Sequence, residues 1–110
     1  MQSNQATSSV FARRLGQARL RSCLTQEQLG IHADINEFSA SARINQYERG
    51  KHKPPLIVGQ RLARALHVLT SFLYEEDDLL AALLAVAADS RGERRKSSSR
   101  MPRRWHNHLP

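Results

Sequence analysis

The sequence predicts an all-α fold, a compact bundle of five or six short helices with disordered tails. Three observations carry that expectation. Apolar residues recur at three-to-four spacing from Val10 to about Ala88, and no strand-like alternation competes with them. The block Thr25-Gln26-Glu27-Gln28 has the spacing of a capping box, in which Thr25 caps a helix and Gln28 reaches back. Gly50 and Pro54-Pro55 fall where a periodic stretch should stop. A chain of 110 residues is one small domain with tails at most.

The elements follow in order. Residues 1–8 are polar and nearly uncharged, and are expected to form a disordered N-terminal arm. Ser9 would cap a first helix whose inward residues are Val10, Phe11, Leu15 and Ala18, with Leu20 at the margin of the stripe. Arg13, Arg14, Gln17, Arg19 and Arg21 fill the positions between, and the helix should end near Ser22–Cys23. The second helix starts at the Thr25 cap and runs through Ala33, with Leu24 and Leu29 closing over its first turn as a hydrophobic staple.

Asp34-Ile35-Asn36 reads as a turn, because Asp and Asn tolerate a left-handed backbone. The third helix begins somewhere in 37–39 and runs to Arg49, with Ile44 and Tyr47 inward and Gly50 as its stop. A fourth spans about Leu56–His67, burying Val58, Leu62, Ala65 and Leu66. Thr70 would cap a short fifth helix holding Phe72 and Leu73. The acids Glu75–Asp78 suit the positive end of a last helix that reaches about Ala88. Residues 89–110 turn to Arg, Lys, Ser and Pro and read as a disordered basic tail. The expected organisation is therefore a domain over 9–73, an acidic-start helix over 74–88, and flanking arms.

Charge is unevenly spread. The chain carries 17 Lys and Arg against 10 Asp and Glu, a net +7. Residues 1–64 hold ten of the cations and four of the anions. Residues 65–88 hold only the four acids at 75–78, and residues 89–110 are basic again. This balance favours an anionic partner, which for a small basic protein means nucleic acid first.

Leu24–Lys53 carries a recognisable pattern. The run LTQEQLGIHADI followed by RINQYERGKHKP resembles the helix-turn-helix domain of the Cro/phage-repressor type, also called the XRE family. The later RLARALHV is similar to the family's fourth helix, so the resemblance covers about residues 10–73 and extends toward 88. It implies a lambda-repressor-like DNA-binding domain. In such a domain the second helix crosses the DNA backbone and the third lies in the major groove.

Gln26 matches the family's phosphate-contacting glutamine. Ser41, Ala42, Arg43, Asn45 and Gln46 match the outward, base-contacting positions. Arg takes guanine bidentately and Gln takes adenine, so Arg43 and Gln46 are the first choices for base reading. Arg49, Lys51, His52 and Lys53 match the backbone contacts that follow the recognition helix. Arg19 and Glu48 match a pair that forms a partly buried salt bridge between the first and third helices.

The sequence departs from the family in three places. Asp34 stands where the turn has glycine, and Cys23 and His67 stand where helix ends often have it. The separation from Gln26 to Glu48 also exceeds the family's by about four residues, roughly one helical turn. Either the recognition helix begins earlier, capped by Asn36, or the turn is a longer loop capped by Ser39.

The resemblance implies a sequence-specific DNA-binding transcriptional regulator, by default a repressor, with the recognition helix at about 37–49. Its partner would be double-stranded DNA. Leu79, Leu80, Leu83 and Leu84 exceed what one helix face can bury in a small domain and are expected to form a homodimer interface. The alternative is an antitoxin-type protein-interaction module that binds its own promoter and holds a protein partner.

Other classes find little support. Neither a Cys/His zinc spacing nor a phosphate-binding glycine loop is present, so no metal, cofactor or catalytic residue is expected and the chain reads as a non-enzyme. One cysteine excludes an internal disulfide. The longest apolar run, Leu79–Ala88, is too short to span a bilayer, and the N-terminus carries no signal-like pattern. A cytoplasmic location without membrane contact is expected.

Overall fold

The computed structural model describes residues 2–98, with side chains from residue 10 to residue 88. Six helices follow one another: α1 (Gln2–Arg21), α2 (Gln26–His32), α3 (Ala40–Glu48), α4 (Leu56–Leu66), α5 (Thr70–Tyr74) and α6 (Asp78–Ser98). No strand occurs among the described residues, and the all-α expectation holds.

Several boundaries differ from the sequence reading. α1 begins at Gln2 instead of after a cap at Ser9, so the expected disordered arm over 1–8 is largely helix. Neither Pro nor Gly interrupts residues 2–15, and a packed helix downstream supplies the nucleus that lets such a segment extend. α6 continues to Ser98, well past Ala88, because Glu93-Arg94-Arg95-Lys96 are all good helix formers. The rest of the expected tail, including Trp105, lies outside the described residues. Leu69, not Thr70, is the residue before α5, and Thr70 is its first helical position. α3 starts at Ala40, later than a start at 37, and Ser39 precedes it.

One core joins all six helices. It takes Phe11, Leu15 and Ala18 from α1, Leu29 from α2 and Ile44 and Tyr47 from α3. Leu62, Ala63 and Leu66 come from α4, Phe72 and Leu73 from α5, and Ala81 from α6. Each large aliphatic side chain buried there contributes about 1.5–3 kcal/mol. Leu24 packs against this cluster beside the buried Leu29, as a staple requires. Phe11 and Tyr74 stack at a tilt with ring centroids 5.1 Å apart. Burial raises the Tyr74 phenol above its ordinary pKa. Leu20, at the margin of the α1 stripe, is exposed.

Helices α1 to α4 end in the same way. The chain turns into the left-handed region at Cys23 (φ 59°), Asp34 (φ 68°), Gly50 (φ 72°) and His67 (φ 60°). After each, the next N–H reaches back five residues: Leu24 to the Arg19 carbonyl, Ile35 to Gly30, Lys51 to Gln46 and Val68 to Ala63. This is the Schellman stop. The three positions where glycine was missing from the sequence therefore keep the backbone that glycine adopts most readily.

Arg14, read from sequence as a polar face residue, is 4% exposed. Its guanidinium donates from Nε to the Glu75 carbonyl at 3.0 Å and from Nη2 to the Glu76 carbonyl at 3.3 Å. It also donates to Asp78 Oδ1 at 2.9 Å and lies 5.8 Å from the Phe72 ring centroid. One side chain of α1 thus satisfies the carbonyls between α5 and α6 and pins the start of α6. Arg13 reaches the same Asp78 oxygen at 3.2 Å. Hydrogen bonds from Arg14 and then Arg13 hold the Asp78 carboxyl below the usual carboxylate range. Asp77 Oδ1 accepts the Leu80 N–H at 3.0 Å and caps α6.

Candidate nucleic-acid interface

The α2–α3 pair is fixed at its start by side-chain capping. Thr25 Oγ1 accepts the Gln28 N–H at 3.0 Å, and Gln28 Oε1 accepts the Thr25 N–H at 2.8 Å. The two helices then pack against each other at one point of backbone closeness. A Cβ on Gly30 would lie 2.6 Å from the Ala40 Cβ and 3.0 Å from its Cα. Only glycine allows α3 to sit this near α2.

Residues 37–39 form a turn, not an earlier start of α3. Asn36 Oδ1 accepts the Phe38 N–H at 2.8 Å, and the Asn36 carbonyl accepts the Ser39 N–H at 3.0 Å. The Ser39 hydroxyl donates to that same carbonyl and makes no side-chain cap on α3. The N-terminal lip of α3 is therefore set by Asn36, three positions before the helix-flanking serine.

α3 buries Ala40, Ile44 and Tyr47. The helical period then turns Ser41, Ala42, Arg43 and Gln46 outward, and all four are exposed. Asn45 is half-buried and differs from them. Gln26 Nε2 donates to Asn45 Oδ1 at 3.3 Å and to Glu48 Oε1 at 3.2 Å. Glu48 in turn accepts two hydrogen bonds from Arg19, through Nε and, at 3.1 Å, through Nη2. Arg19 Nη1 also donates to the Leu24 carbonyl at 3.0 Å, at the entrance to α2. The Arg19 and Glu48 side chains are only 15% and 12% exposed, so this charge pair is shielded and geometrically fixed. Four side chains from α1, α2 and α3 form one connected polar lattice behind the outward edge.

Arg49, Lys51, His52 and Lys53 follow α3 and are all exposed. The acids at 75–78 belong instead to the α5–α6 junction, where Asp78 is engaged by Arg13 and Arg14. Phe38 is the residue the sequence reading missed: it is 92% exposed at the lip of α3. A large aromatic within the turn before α3 was the available signal.

On α6, Leu79, Leu83 and Val86 are 73%, 56% and 60% exposed, and Leu80 is 44% exposed. Leu84, grouped with these leucines in the sequence reading, packs against the core instead. Among the described residues no three His, Cys, Asp or Glu side chains group as metal ligands. No described helix is long and apolar enough to cross a membrane.

No family model and no curated protein matches the chain. Among solved structures, that of the transcriptional regulator BswR matches it at 36% sequence identity with a TM-score of 0.66. The match covers 82% of this chain and 93% of that one.

Proposed function

This chain belongs to the family of the transcriptional regulator BswR, and on that premise we propose that it regulates transcription as a sequence-specific reader of double-stranded DNA. α3 is the helix that enters the major groove. Arg43 and Gln46 contact base edges, Arg43 by the guanine pattern and Gln46 by the adenine pattern. Ser41 and Ala42 complete that edge, with Asn45 at its braced margin. Arg49, Lys51, His52 and Lys53 contact phosphate and set the register, and Gln26, whose side-chain amide donates to Asn45 and Glu48, joins them through its backbone N–H at the start of α2. By covering its site the protein acts as a repressor.

The observation that carries this reading is the exposed edge of α3 set on a rigid base. Ser41, Arg43 and Gln46 are exposed, while Gln26, Asn45, Glu48 and Arg19 lock the helix from behind. A reader of base edges needs side chains whose mounting does not shift, since hydrogen-bond discrimination is lost with small displacements.

A dimer is part of the proposal. Leu79, Leu83 and Val86 sit at i, i+4 and i+7 on α6, one continuous exposed apolar seam. Two copies packed along that seam around a two-fold axis would present two α3 helices to two half-sites.

The test is selection of the full chain on random duplex DNA, followed by titration of the winner and of scrambled DNA at two salt concentrations. A palindromic winner bound far more tightly than scrambled DNA is the expected result. A folded protein that enriches no motif would overturn the reading.

A further inference from the structure

We propose that Phe38 reads the 5-methyl group of a thymine at the edge of the site contacted by α3. The inference rests on the reading of α3 as the helix that enters the major groove. Phe38 is 92% exposed, more than any other large apolar side chain among the described residues. It does not hang from a loose loop. Its own N–H is held by Asn36 Oδ1 at 2.8 Å, the following Ser39 N–H by the Asn36 carbonyl at 3.0 Å, and the Arg43 N–H by the Ser39 carbonyl at 2.9 Å. A hydrogen-bonded turn that presents an aromatic ring to water adds nothing to this chain's own core, so the ring's use lies in something that docks on the lip of α3.

The placement selects the occupant. Phe38 lies two residues before the first residue of α3, and Ala42, in the first turn of that helix, lies opposite the buried stripe of Ala40, Ile44 and Tyr47. Phe38 and Ala42 are the exposed apolar residues at the start of α3, close in sequence to the exposed Ser41, Arg43 and Gln46. In the major groove thymine alone carries an apolar group, its 5-methyl, and Phe and Ala are side chains that meet it. Neighbouring Glu37 is exposed and anionic, so this turn adds no phosphate attraction. What Phe38 contributes is discrimination between bases.

The test uses the full chain and its selected duplex, remade with each thymine replaced in turn by uracil, which differs only by the missing methyl. Wild type should bind about fourfold more weakly at one thymine of each half-site, the scale of one methyl-sized apolar group buried. The Phe38→Ala variant should bind thymine and uracil duplexes equally at that position and keep its discrimination elsewhere. The Phe38→Leu variant should retain part of the methyl effect, which separates apolar contact from a merely structural role. Identical thymine-to-uracil ratios for wild type and Phe38→Ala at every position would overturn the proposal. So would a change of oligomeric state in Phe38→Ala, which would assign the ring to a second copy of the chain. Failure to select any motif would instead remove the DNA-reading premise, and is told apart by occurring before uracil is introduced.

Discussion

Gln26 of α2 donates from one amide nitrogen to Asn45 Oδ1 at 3.3 Å and to Glu48 Oε1 at 3.2 Å, so α3 is braced on the helix that precedes it. The brace separates two kinds of residue on α3. Asn45→Ala should lower stability by about 1 kcal/mol through loss of a half-buried hydrogen bond, visible as a lower Tm. Arg43→Ala and Gln46→Ala should leave Tm unchanged and each cost about 1–3 kcal/mol on the selected site, with relaxed preference at particular base pairs. Lys51→Ala should weaken all sequences alike and reduce the salt slope by about one. Equal losses on selected and random DNA for all of these variants would mean that α3 is not the reading element.

Gly30 should accept no side chain. Its added Cβ would lie 2.6 Å from Ala40 Cβ, and the next nearest atoms are Ala40 backbone, which cannot swing aside. Gly30→Ala is expected to cost about 1–3 kcal/mol, the range for overpacking a close contact. The double variant Gly30→Ala/Ala40→Gly returns one methyl of space and should recover part of the loss. Thermal melts of the three proteins decide it, and an unperturbed single variant would show that α2 and α3 can separate at no cost.

The contrast between these two contacts shows what a sequence can disclose. Thr25 and Gln28 act within one turn of chain, and their spacing alone gives the capping box. Ile44 and Tyr47 follow a helical period, which also lies in the sequence. The closeness of Gly30 to Ala40 depends on how two helices cross, and Arg14 is buried because α5 and α6 return over α1. Neither relation has a local signature. The start of α3 lay between these cases. Asn36 and Ser39 both carry capping side chains, and only the folded turn shows that Asn36 bonds to Phe38 and thereby holds the helix back to Ala40.

Cys23 is exposed and sits at φ 59°, where an L side chain is strained by about 1 kcal/mol or more. Cys23→Gly should raise stability, by somewhat less than that amount because glycine also gains freedom in the unfolded chain. Asp34→Gly at φ 68° should gain less, since Asp tolerates the left-handed region. Chemical denaturation with an unchanged m-value would report both. A loss at Cys23 would mean that its side chain makes a stabilising contact that outweighs the backbone relief.

The Asp78 carboxyl is held below the ordinary carboxylate range by hydrogen bonds from Arg14 and Arg13. A folded-state pKa lower than the unfolded one stabilises the fold fully above the unfolded value, about 4. That contribution is lost as pH falls through the lower folded value. Asp78→Asn should therefore be less stable than wild type at neutral pH, and the difference should shrink progressively below about pH 4. A constant difference from neutral to strongly acidic pH would show that the asparagine acts through packing or capping instead of charge.

Leu79, Leu83 and Val86 form the apolar seam of α6, and Leu83 lies at its middle. In a two-fold dimer each substitution is made twice, once on either side of the axis. Burying a leucine contributes about 1.5–3 kcal/mol, so removing two and burying two carboxylates in their place should weaken association by well over a hundredfold. Leu83→Glu should therefore sediment as a monomer at concentrations where wild type is dimeric, with its helical circular dichroism intact. Leu84→Glu makes the control, because Leu84 packs on the chain's own core and its loss should unfold the domain, not just dissociate it. On the selected palindrome the Leu83→Glu protein should bind single half-sites with the same base preference and without cooperativity. If it remained dimeric, or bound the full palindrome as tightly as wild type, the two copies would have to meet through a surface other than α6.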